Sequence, residues 1–160
     1  MKLINQITEK AYPMQRVGPY TTARGELRIE KKEQAIEWHC DDLGEKDAVL
    51  LGAPRIEVIE ASTGAKNFLK ECLLFISSDG EPMCEGIPLM GTELPRLRPC
   101  TKDRVFFAAS EDDEPRGIFI TNGTWLKAVV KASRVIEEMP KIRITIEAEL
   151  YRALEVANDG

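Results

Sequence analysis

The run Gly117-Ile118-Phe119-Ile120-Thr121-Asn122-Gly123-Thr124-Trp125-Leu126-Lys127-Ala128-Val129-Val130-Lys131-Ala132 points to β-structure more strongly than any other part of this chain. Asn-Gly between two apolar segments is a strong short-range hairpin signal, because both central residues of the favoured turn need positive φ. A turn at Asn122-Gly123 is expected to pair Thr121 with Thr124 and Phe119 with Leu126. The same register sets Leu126, Ala128, Val130 and Ala132 on one face, with Lys127 and Lys131 opposite. Residues 126–139 also fit a helix through Val129, Ala132, Ile136 and Met139, but the hairpin register favours a strand.

The same period of two runs outward in both directions. After Pro140, Ile142, Ile144, Ile146, Ala148 and Leu150 alternate with Arg143, Thr145, Glu147 and Glu149, the pattern of a strand with one dry and one wet face. Residues 105–109 read as a strand closed by the acidic turn at 111–115. Leu27 and Ile29, then Ile36, Trp38 and Cys40, alternate with polar neighbours and predict a first hairpin over residues 25–40. Residues 48–51 are a short apolar run, residues 55–61 a strand, and Ser62-Thr63-Gly64-Ala65-Lys66 a turn. Residues 68–77 are apolar on both faces around Cys72, which predicts a central, doubly covered strand.

Two regions depart from the pattern. Residues 78–102 carry Pro82, Pro88, Pro95 and Pro99 among Gly80, Gly86 and Gly91, and predict a long loop within the domain. Its apolar residues Ile87, Leu89, Met90, Leu94 and Leu97 either fold back onto the sheet or form a partner-binding surface. At the N-terminus, Leu3, Ile4 and Ile7 predict a short amphipathic helix or a docking arm. The expected fold is therefore mainly β, an antiparallel sandwich or open barrel of about eight to ten strands in one domain spanning residues 1–160.

Composition bounds the function. The chain has 160 residues, 22 basic and 27 acidic, for a net charge of -5. That balance excludes wholesale disorder and argues against a broad nucleic-acid surface, since phosphate neutralisation supplies much of that affinity. No apolar run approaches the roughly 18 residues of a membrane helix, and the N-terminus lacks the apolar core of a secretory signal. A soluble, cytoplasmic protein is expected. Cys40, Cys72, Cys84 and Cys100 have neither the spacing of a zinc site nor that of a small disulfide scaffold, and read as reduced structural thiols. Without an export signal, Asn122-Gly123-Thr124 reads as a turn rather than a glycosylation site.

Signals for chemistry are sparse. His39 is the only histidine, and within one strand it faces away from Cys40, so the two do not make a nucleophile pair. His39 with Asp41 or Asp42 is the leading candidate for a small metal-assisted hydrolase, carboxylates alone at Asp41, Asp42, Asp47 and Glu111 to Glu114 are a weaker one, and an exposed histidine beside solvated acids is the plainer alternative. Gly64-Ala65-Lys66 lacks the rest of a phosphate loop, and no dinucleotide, nucleophile-elbow or zinc-protease motif is present. Arg96, Arg98, Lys102 and Arg104 form a basic stretch, either a solvated loop or an anion contact at the mouth of a ligand-binding barrel. No catalytic residue, metal ligand or cofactor is assigned. The leading expectation is a non-enzymatic intracellular binding or assembly subunit, an inhibitor or a component of a larger particle such as a virion. It would act through a protein partner or self-association, using sheet edges, the Pro-rich loop and terminal arms.

Overall fold

A computed structural model describes the chain apart from Gln6, Glu85 and residues 91–96, 98–104 and 155–160. The strands in chain order are β1 (Lys2–Ile4), β2 (Ala11–Arg28), β3 (Glu33–Cys40) and β4 (Asp47–Glu60). After helix α1 (Thr63–Leu69) come β5 (Leu73–Ser78), β6 (Glu81–Pro82), β7 (Ile87–Pro88) and β8 (Val105–Ala109). The last three are β9 (Pro115–Ile120), β10 (Thr124–Lys131) and β11 (Lys141–Ala153). The protein is mainly β, in two antiparallel sheets. One closes on itself in the order β1-β2-β11-β4-β9-β8, and the other runs β3-β10-β5-β6 with β7 beside β5. Among the described residues no helix is long and apolar enough to cross a membrane.

Both expected hairpins form their strands but not their pairing. A turn forms at Asn122-Gly123, with Thr124 N donating to Thr121 O at 3.2 Å, but only Gly123 has positive φ (+86°), not both central residues as the tight hairpin turn requires. Yet β9 pairs with β4 and β8, and β10 pairs with β3 and β5. The turn's polar groups bind elsewhere, with Asn122 Oδ1 accepting from Leu43 N at 3.1 Å and Gly123 N donating to Cys40 O at 2.6 Å. Burial explains the divergence. Ile118 and Ile120 of β9 join one core and Phe119 the other, so β9 must lie between two layers. Likewise, β2 and β3 enter different sheets, and Gln34 ties their connection by accepting from Glu30 N and Lys31 N and donating to Arg28 O.

One further expectation is corrected, and two open alternatives are decided. The doubly apolar stretch at 68–77 is not one strand: Ser62 caps α1 by accepting from Ala65 N at 3.2 Å, and Ala65, Phe68 and Leu69 bury one helical face. The chain then turns at Cys72 and enters β5, whose burial alternates strictly. Of the two N-terminal options the helix fails and the docked arm describes the segment, because β1 pairs with β2 on one side and β8 on the other, closing the first sheet. Residues 124–131 are strand and the helix option fails, with 126, 128, 130 and 132 buried as the alternation requires.

Two cores result. The larger lies between the second sheet and the β2-β11-β4 ribbon, and includes Leu27, Ile29, Leu74, Ile76, Leu126, Val130, Ile142, Ile144 and Ile146. The smaller fills the closed sheet with Leu3, Met14, Ala48, Ala108, Phe119 and Tyr151. Strand β11 serves both. Its even residues down to Leu150 face the larger core, while Tyr151 and Ala153 on the opposite face line the smaller one. Irregularities between Ile146 and Glu147 and between Leu150 and Tyr151 bend the ribbon between the two.

Candidate functional site

The expected partner-binding residues sit largely within the fold. Ile87 and Leu89 are 5% and 4% exposed in the larger core, with Leu89 N donating to Cys72 O at 3.1 Å. Met90 and Leu97 are partly buried against the same core, and Leu94 lies outside the described residues. Of the two roles open to this segment, folding back onto the sheet describes Ile87 and Leu89. Arg96, Arg98, Lys102 and Arg104 also lie outside the described residues.

The His39 cluster does not converge. His39 is exposed on the outer face of β3 and stacks on Trp125, its cross-strand partner, at 5.3 Å between ring centroids. Asp42 instead makes a close contact with the Tyr20 hydroxyl, which donates to it and also touches Cys40 Sγ. Burial, reinforced by the Asp42 carboxylate, pushes the Tyr20 hydroxyl well above its ordinary range and keeps it a donor. Burial likewise pushes the Cys40 thiol up, the reverse of what an attacking thiolate requires. Among the described residues no group of three or more His, Cys, Asp or Glu is placed to hold a metal ion.

What the fold does present is an open strand edge. In β3, Lys32 O accepts from Ala132 N at 2.8 Å and Cys40 O from Gly123 N at 2.6 Å, while Trp38 stands opposite Leu126. In an antiparallel ladder alternate residues direct their backbone groups to opposite sides. Gln34, Ile36, Trp38 and Cys40 therefore bond toward β10, and Glu33, Ala35, Glu37 and His39 aim their N–H and C=O groups outward. Among the described residues no strand pairs on that side. The other open edges are blunted. The unpaired stretches of β2 and β4 carry Pro19 and Pro54, and the far end of the second sheet is made of the two-residue strands β6 and β7, each with a proline. β3 has neither proline, glycine nor bulge.

A second surface is the groove of about 760 Å³ on the outer face of the ribbon, where it bends toward the closed sheet. Cross-strand charge pairs line and flank it: Arg55 with Glu147 at 3.1 Å, Arg143 with Glu26 at 2.6 Å and Arg16 with Glu149 at 3.3 Å. The paired arginine holds the Glu26 carboxyl below the usual carboxylate range. Arg24, opposite Thr145 in this groove, makes no ion pair among the described residues.

No protein-family model, curated protein or solved structure matches the chain. The sequence predicts a hairpin over residues 25–40, which would place β2 against one side of β3 and so conceals this edge. The available signal was compositional: prolines fall in β2 and β4 but not in β3.

Proposed function

We propose that the protein is a non-enzymatic intracellular binding and assembly subunit that recruits a protein partner by strand addition to β3. The observation that supports this most directly is the outward row of backbone donors and acceptors at Glu33, Ala35, Glu37 and His39, on a strand with no blocking residue. Strand addition supplies affinity through main-chain hydrogen bonds and specificity through alternate side chains. Each bond contributes about 0.5–1.5 kcal/mol net, so an edge alone is weak against an association cost of roughly 4 kcal/mol or more. The half-buried Ile36 and Trp38, packed against the larger core, supply apolar surface that an added strand would cover.

The test exploits the direction of the backbone. Proline at position 37 removes an outward N–H and leaves the ladder to β10 whole. Partner capture by the wild-type protein, compared with Glu37→Pro, should lose its specific partner in the variant while Lys127→Ala, a change on the outer sheet face, retains it. Equal capture by wild type and Glu37→Pro would contradict the proposal.

A second reading is favoured by one observation, the Arg24 guanidinium in the ribbon groove, which has no ion-pair partner among the described residues. There the protein would bind an anionic ligand at the bend of the ribbon. Arg24→Ala should abolish binding of inorganic phosphate or a nucleotide measured by calorimetry, and unchanged binding would remove this reading.

A further inference from the structure

The β3 edge also constrains what can pair with it, and the reasoning rests on the strand-addition proposal above. Any added strand must bring its own backbone groups into register with Glu33, Ala35, Glu37 and His39. Side chains directly opposite one another share a face and interact, with opposite charges favoured and like charges disfavoured. On the outer face β3 presents Glu33, Glu37 and His39, all exposed, and on the inner face Gln34, Ile36 and Trp38.

These residues are self-complementary in the antiparallel register that pairs the strand over its full length from Glu33 to His39. With Ile36 opposite Ile36, Glu33 stands opposite His39, Ala35 opposite Glu37, and Gln34 opposite Trp38. Every outward N–H and C=O between Glu33 and His39 then meets a counterpart. The neighbouring registers fail on charge. Centring on Ala35 sets Glu33 against Glu37 twice, and centring on Glu37 sets that carboxylate against its own copy and Glu33 against Asp41. We infer that β3 pairs antiparallel with β3 of a second copy of this chain, about a two-fold axis at Ile36, joining the two second sheets into one continuous sheet. Such an interface is isologous and closes as a dimer. It also protects the bare edge that β3 otherwise presents.

The experiment is sedimentation velocity on the full chain over a wide concentration range, with three variants. The wild type should show a reversible monomer–dimer equilibrium. Glu37→Pro should be monomeric throughout. His39→Glu, which sets carboxylates opposite each other twice per dimer, should weaken association at least tenfold, and the double variant Glu33→Lys/His39→Glu should restore it. Circular dichroism on each variant checks folding, and His39 lies on the exposed face, so its variants keep the test alive if proline disturbs β3. A wild type that stays monomeric at every concentration overturns the inference, as does a dimer indifferent to both Glu37→Pro and His39→Glu. The two proposals separate cleanly. A monomeric wild type that still captures a partner in a Glu37→Pro-sensitive manner ends the self-pairing but leaves strand addition standing, whereas insensitivity in both assays ends both.

Discussion

Truncating Phe119 to alanine tests the division of the interior into two cores. Phe119 is fully buried in the smaller core, edge-on to Tyr151 with ring centroids 5.2 Å apart and planes at 76°. A buried Phe→Ala change costs about 3–5 kcal/mol, within which the aromatic pair accounts for roughly 0.5–1.5 kcal/mol. The upper part of that range applies here because the neighbours cannot close the cavity: Ala48 and Ala108 are already alanines, and Leu3 and Met14 are held in paired strands. A loss of about 4 kcal/mol is a large share of the roughly 5–15 kcal/mol that holds a domain, and corresponds to a Tm drop of about 8–16 °C at this chain length. Denaturant unfolding monitored by tryptophan fluorescence gives the free energy directly. Phe106, cross-strand from Phe119 but only partly buried, is the control, and Phe106→Ala should cost about half as much or less. Equal costs for the two, or a loss under about 1.5 kcal/mol for Phe119→Ala, would refute the placement of Phe119 as the centre of a closed core.

Other perturbations address other parts of the fold. Gly52→Ala should destabilise by about 1–3 kcal/mol in thermal unfolding, because a Cβ there would sit 2.8 Å from the Glu147 carbonyl oxygen where the ribbon bends. Ser62→Ala should cost about 1 kcal/mol by removing the cap of α1, and it also breaks the 2.6 Å bond from Ser62 Oγ to Glu138. Leu89→Ala should cost about 2–5 kcal/mol, a stability effect where a surface residue would give almost none. Asp47 is held below the usual carboxylate range by Arg152 at 2.8 Å and by the Gly44 amide. Its contribution is therefore complete above about pH 4 and fades as the pH falls through the lower folded value. Asp47→Asn should cost up to about 1 kcal/mol at pH 7 and flatten the acid limb of a Tm-versus-pH curve, with little difference from wild type at pH 2.

The parts of the fold that the sequence disclosed are those decided by local chemistry. In β11 and β10 one face is dry and the other wet, so the side-chain period alone locates Ile142, Ile144, Leu126 and Val130 in the core. Period two identifies a strand's faces but says nothing of its neighbour, and that is where the reading of Asn122-Gly123 failed. A turn forms there, but only Gly123 and not Asn122 has positive φ, so it is not the tight hairpin turn, and two-sided burial of Ile118, Phe119 and Ile120 draws β9 into a different sheet from β10. Helix α1 was hidden for another reason. It is seven residues long, and Phe68 and Leu69 run straight into the apolar β5, so the join reads as one strand unless Ser62 is recognised as a cap. The open edge was invisible because it depends on what lies beside β3, a non-local property. The inward turn of Ile87 and Leu89 equally depends on their docking beside β5.

Residue-resolved amide hydrogen exchange across β3, first in dilute solution and then at high protein concentration, tests the open edge most directly. The account predicts alternation in dilute solution: slow exchange at Gln34, Ile36 and Trp38, and fast exchange at Ala35, Glu37 and His39. At high concentration the fast set should become protected while the slow set changes little. Uniform protection of β3 in dilute solution would mean that the edge is already covered, and would contradict the account.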